Sequence, residues 1–227
     1  MSLRGVLIDF GYTIAYIDKA DVEYDESLFR TLRRYGYHGT LKDFNNILDR
    51  TYRNNMKGEA KNVHELWKSL LENTNLALEP SLIQELTVLR ERHLPTRLKL
   101  YNNVRAILSI LKKRYRLCLV SNCFVGLSDY IKLLGLTEMF HCIVLSYEVG
   151  LMKPDKRIYL EALKRLRLKP EECIFVSDEI SDLEEARQIG LRTLLVRQGE
   201  YTMHNAKDPN FKPDYECDDI REILDFL

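Results

Sequence analysis

The stretch from Val6 to Ile14, VLIDFGYTI, constrains the fold of this chain more than any other. Val6, Leu7 and Ile8 are consecutive apolar residues, the pattern of a strand buried on both faces, and Asp9 stands where that strand should end. In an open parallel sheet, ligands sit at the carboxyl ends of the strands, so a carboxylate here would face a crevice. A strand-end Asp also caps an ordinary turn. The rest of the chain decides between the two.

From Tyr101 onward the sequence alternates helix and strand. Helical spacing covers 104–114, 127–134, 155–166 and 181–189, with Gly135 and Gly190 as stops. Apolar strand-like runs occupy 117–120, 142–145, 173–176 and 192–196. Such alternation implies right-handed βαβ units and an α/β, doubly wound parallel sheet with helices on both faces. Residues 198–213 are polar and aperiodic and read as a long loop, and 218–227 as a terminal helix.

Residues 18–97 have a different character. They carry almost no strand signal and four amphipathic helical patterns. The first buries Leu28, Phe29, Leu32 and Tyr35, and the second follows a capping-box start at Thr40–Asp43. The third follows Asn62 and carries Leu66, Trp67, Leu70 and Leu71. The fourth spans 81–93 after Pro80, with Pro95 closing the block. The expected organisation is an α/β core of residues 1–17 and 98–227 interrupted by a helical domain of 18–97. Trp67 belongs on the apolar face of its helix, while Arg90-Glu91-Arg92 reads as a solvated helix end.

Composition removes several classes of function. Acidic and basic residues balance at 34 each, so nothing points to nucleic acid or an anionic membrane as partner. Five cysteines form no CxxC pair, and Cys118, Cys142 and Cys173 lie in or beside strand-like runs, as buried reduced thiols do. No apolar run approaches the roughly 18 residues of a membrane span. The first strand begins almost at once, leaving no room for a signal peptide, so the expectation is a soluble, cytoplasmic chain. The five histidines form no pair with metal-ligand spacing. Oligomeric state has no signature here.

The polar residues at the strand ends form a set. Asp9 and Thr13 follow the first strand, and Ser121 and Asn122 the second. Lys153 lies between the third strand and its helix, and Asp178 and Asp182 follow the fourth. Three clustered carboxylates raise one another's pKa and need compensation. Lys153 supplies one positive charge, and a divalent cation would supply two. Mg²⁺ favours hard oxygen ligands and commonly shares its shell with a phosphate. A carboxylate beside it can attack phosphorus and form an aspartyl-phosphate. Thr13, Ser121 and Lys153 would then hold the non-bridging oxygens.

With these residues in view, the chain resembles the haloacid dehalogenase-like hydrolases. Four motifs match in order: Asp9-Phe10-Gly11-Tyr12-Thr13, Ser121-Asn122, Gly150 to Asp155 around Lys153, and Asp178 through Asp182. The block at 18–97 resembles that family's inserted cap. The resemblance implies Asp9 as nucleophile and Lys153 as the residue that steadies charge. It implies Thr13, Ser121 and Asn122 around the transferred phosphate. It also implies a Mg²⁺ site of Asp9, the Gly11 carbonyl, Asp178 and Asp182. The substrate would be a small phosphorylated metabolite.

One position departs from that pattern. Two residues after the nucleophile, the family's phosphatases carry a second Asp that protonates the leaving alcohol, and this chain has Gly11. General acid–base catalysis contributes about 10² to 10⁴ in rate. Three readings follow. The chain is a phosphohydrolase for good leaving groups, or one with an acid from Tyr12, Glu179 or the cap. Alternatively it attacks carbon, as dehalogenases and phosphonate-cleaving enzymes do, with Lys57 or Lys61 as a Schiff-base lysine in the second case. Or it is a weakened relative that serves binding or regulation. A receiver domain also places Asp, Ser/Thr and Lys at strand ends, but it has about half this length and no helical insertion. Cys123 follows the second motif closely enough to line the crevice.

Overall fold

A computed structural model describes residues 2–17, 23–198 and 210–227, without the side chains of 94–97. Strand β1 (Gly5–Ile8) leads through the Asp9 turn into β2 (Ala15–Ile17), which pairs antiparallel with the distant β3 (Leu98–Leu100). Between those partners lie four helices, α1 (Glu23–Arg34), α2 (Leu41–Met56), α3 (Val63–Glu72) and α4 (Pro80–Arg97). The small β2–β3 ribbon is therefore the stem of the helical insertion. Thr40 and Asp43 form the expected capping box, and Asn62 caps α3 through the Glu65 amide. Trp67 is fully buried among Leu66, Leu70 and Leu71. Helix α4 runs past Pro95 to Arg97, so the block ends at the stem rather than at the proline.

The chain then alternates: α5 (Val104–Lys112), β4 (Arg116–Ser121), α6 (Leu127–Leu133), β5 (Cys142–Leu145), α7 (Ser146–Val149) and α8 (Lys156–Leu166). It continues with β6 (Cys173–Ser177), α9 (Ile180–Gln188), β7 (Arg192–Val196), β8 (Tyr215–Cys217) and α10 (Ile223–Phe226). The sheet has six strands in the order β5-β4-β1-β6-β7-β8, every pair parallel. Val6 faces Leu117 and Ile174 across the ladders, and Ile8 faces Leu119 and Val176. Alternation along β1 divides the core. Val6 and Ile8 pack with α5 and the C-terminal Ile220 and Ile223, while Leu7 packs with Phe175, Ile158, Leu163 and Leu183 on the opposite face.

Two details differ from expectation. β8 adds a sixth strand, Tyr-Glu-Cys, too short and too polar to stand out. The expected terminal helix is a 3₁₀ turn at Ile220–Glu222 followed by the single turn α10. Most of the expected 198–213 loop falls outside the described residues. No described helix is long and apolar enough to cross a membrane, and the five cysteines carry no disulfide.

Candidate active site

Strand order reverses between β1 and β6, and ligands bind at the carboxyl ends of strands at such a switch point. Asp9 leaves β1 there and Asp178 leaves β6. The Asp9 carboxylate accepts from the Phe10 amide at 2.6 Å and, through Oδ2, from Lys153 Nζ at 2.8 Å. Lys153 Nζ also donates to Asp182 Oδ2 at 2.7 Å. It lies 5.4 Å from the centroid of the Phe175 ring, which contributes its negative face. Asp182 sits in the first turn of α9, where the helix dipole favours a carboxylate. Asp9, Lys153, Asp178 and Asp182 are all buried.

Several residues hold this set in place. Asn122 donates to the Lys153 carbonyl at 2.9 Å and accepts from the Lys153 amide at 2.7 Å. Both ends of its amide are thus directed at the main chain of Lys153, and Asn122 also lines the cavity. Thr13 is held in a similar way. Its hydroxyl donates to Asp178 Oδ1 at 3.0 Å and accepts from the Asp178 amide at 3.1 Å, deep in the protein. Ser121 lines the cavity.

Two further residues brace the site. Ser177, the last residue of β6, donates to Asp9 Oδ2 at 3.5 Å and accepts from the Glu179 amide at 3.2 Å. Gln198 donates to the Thr13 carbonyl at 2.5 Å and accepts from the Ile220 amide at 2.9 Å, tying the Asp9 turn to the C-terminal segment. Polar residues flanking an apolar run were the available clue for both.

Charge on the floor is unbalanced. Burial first, then the charge of Asp9, pushes Asp178 up to about 7. Burial likewise pushes Asp182 up to about 6, with Lys153 pulling the other way. Burial disfavours the Lys153 ammonium, yet Asp182 and Asp9 outweigh it and hold the lysine above its ordinary range. Three acids share one cation. Among the described residues no three His, Cys, Asp or Glu side chains already converge as a metal set, and Lys153 lies between Asp9 and Asp182.

Above the floor opens a cavity of about 540 Å³. Its far wall is formed by Tyr16, Ile17, Met56, Leu98, Phe124 and Leu127. Gly11 faces open space, since a Cβ there would meet nothing within 4 Å. Cys123 also lines the cavity, but burial pushes its thiol up to about 12, which keeps it protonated. The insertion docks onto the loop after β4 and onto α7. Asn55 accepts from the Val125 amide at 2.8 Å, Tyr52 stacks on Phe124 at 4.6 Å, and Lys61 donates to the Tyr147 carbonyl at 3.1 Å. Arg90 is buried rather than solvated, because α4 lays it against the Phe124 ring and its guanidinium donates to the Val125 carbonyl.

Known proteins share this architecture. A glyceraldehyde 3-phosphate phosphatase from Methanopyrus kandleri is 38% identical over 95 residues, 41% of this chain and 41% of that one. The match thus spans about two-fifths of that relative (41%). An L-2-haloacid dehalogenase superposes with a TM-score of 0.61 at 25% identity, over 100% of this chain and 99% of that one. An enzyme from Bacteroides thetaiotaomicron, solved with magnesium and inorganic phosphate, superposes with a TM-score of 0.63 at 18% identity, over 92% and 98%. That last likeness concerns the fold alone. The family model for haloacid dehalogenase-like hydrolases matches residues 5–190, and the chain belongs to that family.

Proposed function

We propose that this hydrolase is a phosphatase of small phosphorylated molecules, working through an aspartyl-phosphate at Asp9. The observation that carries the reading is Lys153 Nζ bonded to both Asp9 and Asp182 on a buried floor beside Asp178. Phe10 and Lys153 hold the Asp9 carboxylate in one orientation, as an in-line attack on phosphorus requires. Ser121 stands on the same floor to donate to a phosphoryl oxygen, and Asn122 keeps the lysine in register. The relative in Methanopyrus kandleri, a phosphatase by name, supports the reaction class.

The residues present fit Mg²⁺. They are hard oxygen donors, and Asp178, raised by burial first and then by the charge of Asp9, stands where three acids share one ammonium. Asp9, Asp178 and the Gly11 carbonyl would hold the ion, and Asp182, which also balances Lys153, would hold it directly or through water. When bound, the ion supplies positive charge toward the phosphoryl oxygens. The helices of 18–97 would act as a cap domain over a core of 1–17 and 98–227, its seat being the Asn55, Tyr52 and Arg90 contacts. We place the protein in the cytoplasm, in keeping with its free cysteines.

The test is hydrolysis of an aryl phosphate and of acetyl phosphate, with and without Mg²⁺, by the natural protein and by Asp9→Asn. Asp9→Asn is expected to lose at least about 10³-fold in kcat, as removal of a nucleophile does elsewhere, and a chelator is expected to abolish turnover. Equal rates in both proteins remove the proposal. A dehalogenase reading has one observation in its favour: halide departs without a proton, which suits Gly11. Halide release that survives a chelator would select it.

A further inference from the structure

The floor accounts for a phosphoryl group, and the rest of the cavity describes what carries it. Three observations converge. Gly11 leaves open space where an acid for the leaving oxygen would stand. Of the acids lining the cavity, Asp9 and Asp182 are bonded to Lys153, Asp178 to Thr13, and Glu179 accepts from Ser181 at 3.2 Å. Each of these lining carboxylates is thus already engaged by a neighbour. Among the described lining residues Lys153 is the only cation, and it is already bonded to two carboxylates. A second anionic group on the substrate would find no counter-charge, and burying one unpaired is costly. The far wall of Ile17, Met56, Leu98, Phe124 and Leu127 is apolar, with Tyr16 packed at a tilt against Tyr101, ring centroids 4.8 Å apart, as an aromatic side.

We propose that the preferred substrates are monophosphates whose leaving group is apolar, uncharged and acidic enough to depart without a proton, above all aryl phosphates. This rests on the phosphatase reading and specifies its substrate class. An Asp9 carboxylate oxygen bonds to phosphorus as the bond from phosphorus to the aryl oxygen breaks. The electron pair leaves with the phenolate, which takes its proton from solvent. A water oxygen then bonds to phosphorus as the bond to Asp9 breaks, giving inorganic phosphate and the free carboxylate, with the water's proton passing to solvent. A phenol has a pKa of about 10, some six units below that of water, about 15.7, which an alkanol approximates. The aryl ester therefore tolerates a missing acid where an alkyl ester does not. The ring fills the apolar wall in the same pose.

The experiment uses the full chain with Mg²⁺ and measures kcat and KM on a panel. The panel holds phenyl phosphates of graded phenol acidity, 1-naphthyl phosphate, cyclohexylmethyl phosphate, glycerol phosphate and O-phosphoserine. Expected are a kcat that falls steadily as the phenol becomes less acidic and a preference for phenyl over cyclohexylmethyl phosphate of at least about 10²-fold, the low end of a missing general acid. KM for 1-naphthyl phosphate should lie below that for phenyl phosphate, and KM for glycerol phosphate and phosphoserine well above both. Gly11→Asp should raise the kcat ratio of cyclohexylmethyl to phenyl phosphate about tenfold or more. Should that variant fail to fold, the acidity series in the natural protein decides. Glycerol phosphate or phosphoserine turned over as well as the aryl esters, or a rate indifferent to phenol acidity, overturns the inference and leaves the phosphatase reading standing. No phosphate released from any member overturns both.

Discussion

The floor and the far wall of the cavity are built on opposite plans. On the floor each charged side chain is bonded to another group: Asp9 and Asp182 to Lys153, Asp178 to Thr13, and Lys153 itself to Asn122 through its main chain. All are buried, and removing one strands the others. The wall collects single apolar side chains from separate segments, Ile17 from the stem, Met56 from α2 and Leu127 from α6. Ile17 is 38% exposed, and Met56 and Leu127 are partly so. A floor of this kind supplies preorganised charge, whereas the wall can be changed one residue at a time.

The largest effect to test that contrast is Lys153→Met. It keeps the volume of the side chain and removes the one cation, so three buried acids face one another. Breaking a buried ion pair in this way costs roughly 3–5 kcal/mol, and urea unfolding at pH 8 should show it. At pH 5 Asp178 and Asp182 take up protons instead, and the cost should shrink. A loss independent of pH would mean that Lys153 acts by packing, and the floor would then resemble the wall.

A smaller effect is the pH dependence of the protein without divalent cations. Asp178 has a folded pKa of about 7 against an ordinary 3.8, so the folded state keeps a proton that the unfolded state releases between those values. Stability is then greatest below the lower value and falls as pH rises through the window. The melting temperature is expected to drop between pH 5 and pH 7.5 by roughly 5 °C. Asp178→Asn should flatten that slope. Added Mg²⁺ should restore more stability at pH 7.5 than at pH 5, because the ion competes with the proton for the same oxygens. Equal stabilisation at both values would detach the ion from Asp178.

How far each part was legible in the sequence follows from the same division. Asp9, Lys153 and Asp178 stood out because each closes or follows an apolar run, and a parallel sheet brings all such ends to one edge. Strands β5 and β7 begin and end where the apolar runs do. The partners of Thr13 and Asn122 did not show, because a hydroxyl or amide can face a phosphate or a main chain at the same spacing. Gln198 bonds to Thr13, 185 residues away, and no local pattern encodes that. The β2–β3 stem is two three-residue strands separated by the whole insertion, below the length at which alternation is readable. Arg90 reads as a solvated charge until α4 is known to run on over Phe124. The wall was the least legible: an apolar residue lining a cavity has the same helical spacing as one packed in a core.

The smallest effect completes the comparison. Met56 is the last residue of α2 and reaches the cavity from the insertion, opposite the strand ends. It is half-buried, so Met56→Ser removes little packing, and unfolding stability should change by less than about 1 kcal/mol. The same change removes apolar surface that an aryl group would cover, and a methylene-sized loss in a pocket costs on the order of 1 kcal/mol. KM for phenyl phosphate should therefore rise roughly three- to tenfold with kcat nearly constant, since the contact exists equally before and during phosphorus transfer. Should kcat fall as well, Met56 would be helping to align the ester over Asp9, and the wall would share the floor's work instead of merely selecting what reaches it.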